Sequence, residues 1–167
     1  MKGQLTLDYV LSIIIFITLT SYIIFQLLMV VPKFVREVRV QNLRGEAFSI
    51  SEILLNDPGE PINWHEVGVV ERIGLLDETK NLTNFLSLGK IIKFGEICSE
   101  DYEKVRSLLA TNRTILVSLR NLETDQLITS CSPQLITYRG MKATVVRNFA
   151  FVQNGATTYG EMVIEMW

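Results

Sequence analysis

Residues 1–31 read MKGQLTLDYVLSIIIFITLTSYIIFQLLMVV, and the 23 positions from Tyr9 to Val31 carry no charge. As a helix rising ~1.5 Å per residue this run is about 34 Å long, enough to cross a hydrocarbon core of ~30 Å. A cleaved secretory signal has a shorter apolar core, roughly 7–15 residues, that ends in small residues at its cut site. Val30-Val31-Pro32-Lys33-Phe34 offers no such site, so the apolar segment is expected to stay. One residue fits neither a signal nor a plain anchor. Asp8 stands at the lip of the run, where a carboxylate costs free energy as it nears the apolar core.

Beyond Pro32 the apolar character becomes one-sided. Val35, Val38, Leu43, Ala47, Ile50 and Leu54 recur mostly three or four positions apart, with Lys33, Arg36, Glu37, Arg39, Arg44 and Glu46 over much of the remainder. That spacing predicts an amphipathic helix. Pro32 lacks an N–H and crowds the turn before it, so a bend is expected there. Asp57-Pro58-Gly59 and Pro61 are turn residues that end the helix. The fold class is therefore α+β: a long N-terminal hydrophobic helix, residues 4–56, kinked near Pro32, then a small globular head, residues 57–167, with a C-terminal antiparallel β-sheet.

Within the head, residues 67–73 are open as a strand, and residues 81–92 look more helical. Ser99 is placed to cap a helix through SEDYEKVRSLLAT, with Glu100 and Asp101 at its positive end and Tyr102, Val105 and Leu109 along one face. From Arg113 onward strands are expected, two of them joined by a tight turn at Asn154-Gly155. Val145, Val146, Phe149, Phe151, Val163 and Ile164 are the candidate sheet core.

Sixteen basic against eighteen acidic residues, a formal net charge of -2, argue against a nucleic-acid partner. Cys98 and Cys131 lack metal-ligand spacing, and two ligands do not complete a structural zinc site. A disulfide between them and two buried free thiols are both open. His65, the one histidine, lies beside Trp64 in a turn-rich stretch. A Cys–His nucleophilic pair with either cysteine is conceivable, but no family signature surrounds them. With no phosphate-cradling glycine loop and no paired ligands, the expectation is no enzyme, no cofactor and no metal. Glu71 and Glu78 are expected on the solvated surface, and Trp64 and Trp167 in core or edge packing. Asn81-Leu82-Thr83 and Asn112-Arg113-Thr114 fit the N-glycosylation pattern, which is used only outside the cytoplasm.

The stretch KGQLTLDYVL, residues 2–11, resembles the class III signal peptide of archaeal type IV pilins. The resemblance implies cleavage by a prepilin peptidase between Gly3 and Gln4, so that residues 1–3 are a leader. Thr6 takes the small-hydroxyl position, Asp8 the acidic position fifth after the cut, and Tyr9 the tyrosine before the apolar run. Glu is the more frequent acidic residue in such proteins, so Asp8 keeps the charge on a shorter arm. LLNDPGEPINWHEVGVVERIGL and GEMVIEMW are similar to head segments of archaeal pilin-like proteins. The same resemblance implies a structural subunit, major or minor, of a surface filament. Its helix would form the filament core with other pilin subunits, after a stage in the membrane at an assembly platform, and its head would be exposed for adhesion. The cut would also account for Asp8. It creates an α-amino group at Gln4, one helical turn away, able to pair with Asp8 of the same or a neighbouring subunit unless Gln4 cyclises. One signal opposes this: Lys33, Arg36, Arg39 and Arg44 outnumber Lys2, which by the positive-inside rule puts the head in the cytoplasm. The alternative is a single-pass membrane-anchored extracytoplasmic binding protein that does not polymerise.

Overall fold

A computed structural model describes residues 2–135 and 140–167, with side chains from Asp8 onward. Gly3, Gln4 and Thr6 therefore lie outside the described side chains. The chain forms two compact units, Met1–Arg39 and Val40–Trp167. Helix α1 spans Lys2–Asn56 and runs on through Pro32.

In the second unit the last turns of α1 bury Leu43, Ala47, Ile50, Leu54 and Leu55 in the head core. The apolar stripe is thus buried from Leu43 onward. Val35 and Val38, which belong to the first unit, are each 42% exposed.

The chain then wraps Trp64, which is fully buried and donates from Nε1 to the Gly74 carbonyl at 3.0 Å. Gly74 has no alternative here, because a Cβ would land on the Asp57 carbonyl. Residues 67–73 form no strand: Val67 ends a short helix, α2, Trp64–Val67, and Arg72 makes only an isolated bridge with Glu60. With its backbone committed to enclosing the indole, this stretch builds no ladder.

Strand β1, Phe85–Leu86, is followed by α3, Leu88–Glu100, and α4, Tyr102–Leu108. The expected cap at Ser99 is not used: its hydroxyl donates back to the Glu96 carbonyl at 2.7 Å inside α3. Asp101 breaks the two helices apart, and its carboxylate accepts from the Lys104 N–H at 2.9 Å. A carboxylate at a helix N-terminus gains from both the hydrogen bond and the dipole, which a hydroxyl matches only in part. Val105 and Leu109 are buried, and the Tyr102 hydroxyl donates to the Ile115 carbonyl and accepts from its N–H. Burial pushes the Tyr102 pKa up.

Strands β2 (Ile115–Asn121), β3 (Leu127–Cys131), β4 (Ala143–Gln153) and β5 (Ala156–Met166) complete a five-stranded mixed sheet of order β1-β4-β5-β2-β3. Only the β1–β4 pair is parallel. Asn154 and Gly155, at φ 53° and 80°, make the tight β4–β5 turn, as a two-residue hairpin needs. Val145 opposes Ile164 on the core face, whereas Val146 opposes Val163 on the other face, and Val146 is 52% exposed. Adjacent strand residues point to opposite faces, so Val145 and Val146 cannot share a core.

Cys98 and Cys131 form a disulfide, with Cα atoms 5.4 Å apart, which ties α3 to the edge strand β3. It closes a 33-residue separation. A loop of that length corresponds to roughly 3–4 kcal/mol in the chain-entropy picture. Urea unfolding of the Cys98→Ser/Cys131→Ser chain should show a loss of about that size; an unchanged midpoint would mean the disulfide constrains nothing the core does not already hold.

Candidate functional site

The prominent surface is α1 before the head. Every large apolar side chain described from Tyr9 to Val31 is exposed, from Ile13 at 39% to Leu28 at 70%. The most apolar window has a mean hydropathy of 2.4 and none of it is buried, so α1 is long and apolar enough to cross a membrane. A contiguous apolar surface of this kind far exceeds the few hundred Å² that a soluble monomer normally leaves open.

Its polar side chains are mostly turned inward on the helix itself. Ser12 donates to the Asp8 carbonyl at 2.9 Å, Thr18 to Ile14 at 2.7 Å, and Thr20 to Phe16 at 2.8 Å. Hydroxyls satisfied in this way cost little in a medium without water. Gln26 instead donates from Nε2 to the Tyr22 hydroxyl at 2.9 Å. Asp8 is exposed, and among the described residues its carboxylate has no hydrogen-bond or ion-pair partner.

In the head, the disulfide leaves no thiol for a Cys–His pair. His65 packs edge-on to Trp64, with Nε2 3.9 Å from a Glu66 carboxylate oxygen. Both acceptor asparagines, Asn81 and Asn112, are exposed. Trp167 pairs its backbone with Thr114, at the start of β2. Among the described residues no three His, Cys, Asp or Glu cluster in a metal-holding arrangement.

Two head features escaped the sequence reading. Lys90 is 1% exposed, and its Nζ donates to the Pro58 and Leu76 carbonyls, both at 2.9 Å, and to Glu78 at 2.7 Å. Glu78 lies on the surface as expected and is also the partner of a buried cation. Lys90 shares a helical stripe with Phe94 and Ile97, a spacing that marks it as inward-facing. The second is an open groove of about 590 Å³ whose walls include Glu52, Asn56, Asp77, Asn81, Asn84 and Arg147. Arg147 pairs with Glu52 and lies over the Phe48 ring, 4.9 Å from its centroid. These residues come from three distant segments, so no local motif announces the groove.

Fold and site together define a membrane-length apolar helix joined to an α+β head. No family model, no curated protein and no solved structure matches the chain.

Proposed function

We propose that this chain is a non-enzymatic subunit of a type IV pilus-like surface filament. A prepilin peptidase cuts it between Gly3 and Gln4, the membrane holds it until assembly, and like helices then pack into the filament core. The observation that carries this reading is the uncovered apolar surface of Tyr9–Val31 beginning directly after Asp8, whose carboxylate has no partner among the described residues. A tether requires the apolar surface alone, whereas a subunit packed among copies uses both: the surface for adhesion between helices, the charge for axial register.

The disulfide supports an extracytoplasmic head, since such bonds persist in oxidising compartments. It opposes the cytoplasmic placement that Lys33, Arg36, Arg39 and Arg44 would favour. A non-polymerising tether remains the second reading, favoured by how closely the run matches a bilayer's thickness. Gly3→Val distinguishes them. Under the subunit reading the variant keeps its leader, accumulates in the membrane, and yields no filaments by electron microscopy. Normal filaments from that variant would remove the reading.

A further inference from the structure

We infer that Tyr22 and Gln26 form a contact through which two copies of this chain pair inside the membrane. In placing that pairing ahead of polymerisation, the inference rests on the subunit reading above.

The midpoint of the Tyr9–Val31 run is Thr20. At ~1.5 Å per residue Tyr22 lies about 3 Å and Gln26 about 9 Å beyond it, both inside the ~15 Å half-thickness of a hydrocarbon core. There every polar group must find a protein partner. Ser12, Thr18 and Thr20 find theirs on the α1 backbone, while Ser21, about 140° around the helix from Gln26, has none among the described residues. Gln26 spends one amide hydrogen on the Tyr22 hydroxyl. A carboxamide has a second N–H and a carbonyl oxygen, and a phenol has its own O–H. Among the described residues, nothing takes up that remaining capacity.

At about 100° per residue, Asp8, Thr18, Tyr22, Gln26 and Lys33 all fall within an arc of roughly 80°. The pair therefore sits in the stripe that also holds the charges at the two ends of the run, whereas Ser12, Thr20 and Ser21 fall outside it. The occupant of that stripe must offer both a donor and an acceptor at this depth. Lipid tails offer neither. A second copy with the same topology offers both, because it carries the same carboxamide at the same depth, and a two-fold pair lets each Gln26 N–H meet the other's carbonyl. Asp8 and Lys33 would then face like charges, but they stand at the two ends of the run, within reach of water.

The test uses donor- and acceptor-labelled full-length chains in phosphatidylcholine vesicles, with energy transfer read at graded protein-to-lipid ratios. The expected result is self-association that Gln26→Leu weakens about tenfold. Tyr22→Phe should weaken it less, and Thr20→Ala, whose hydroxyl is already held by the Phe16 and Ile17 carbonyls, should leave it unchanged. Leucine is more apolar and an equally good helix former, so lost association cannot be blamed on failed insertion. Wild-type chains that stay monomeric would overturn the inference. So would Gln26→Leu chains that associate as the wild type does, or Thr20→Ala chains that lose as much as Gln26→Leu. Filament counts separate the two claims: Gln26-dependent pairing by a chain that never builds filaments would support the contact and remove the subunit reading.

Discussion

Lys90→Met is expected to destabilise the head by about 2–4 kcal/mol, a large share of the ~5–15 kcal/mol that holds a typical domain together. Lys90 places all three ammonium hydrogens on acceptors: the Pro58 and Leu76 carbonyls and the Glu78 carboxylate. A methionine fills similar space but leaves two carbonyls without a donor, at roughly 1–3 kcal/mol for each that stays dry. Removing one member of a buried ion pair costs about 3–5 kcal/mol. Glu78 is 38% exposed and can turn to solvent, so the lower part of that range applies. Lys93 lies on the same helix, more exposed, and bonds only to Glu96. Lys93→Met should change stability by less than about 0.5 kcal/mol. Trp64 is buried in the same core, so urea unfolding followed by its fluorescence measures both variants. A loss below about 1 kcal/mol for Lys90→Met would show that the three bonds only offset the cost of burying the charge.

The second large effect concerns assembly. Under the subunit reading, Asp8→Ala abolishes filaments while leaving the chain in the membrane, and Asp8→Glu restores them. The two readouts should move in opposite directions. Alanine removes a charge that opposes insertion, so membrane retention is equal or stronger. In a filament core the missing carboxylate also removes the partner of the Gln4 amine, leaving a desolvated cation and no penalty for a wrong axial register. A more apolar helix that nevertheless fails to assemble points to the carboxylate, not to greasiness, as the organising group. Filaments of normal number from Asp8→Ala would reduce Asp8 to an incidental residue at a membrane lip.

The parts of the fold that the sequence disclosed are those where one local rule acts alone. Twenty-three uncharged residues dictate a helix whatever surrounds them, and Asn154-Gly155 dictates a hairpin because both residues accept positive φ. Elsewhere local rules competed. Val145 and Val146 both read as core, and only the register with Ile164 and Val163 decides which faces inward. Strand β1 has two residues and exists because β4 offers an edge, so no pattern of its own could reveal it. Lys90 was hidden by its charge, although its spacing from Phe94 and Ile97 pointed inward. The disulfide stayed open because two cysteines 33 residues apart carry no distance information until α3 and β3 are laid side by side. At the candidate site, Asp8 and the apolar run were plain in the sequence. The Tyr22–Gln26 pair needed the structure, because the bond shows how much polar capacity is left over.

The most direct test of the account is the mass of the N-terminal peptide, with the intact mass, of the protein recovered from its native membranes and cell surface. The account predicts a chain that begins at Gln4, with a free or cyclised terminus. A chain that still begins at Met1, in cells with an active prepilin peptidase, would contradict it and leave a simple tether with an unexplained Asp8.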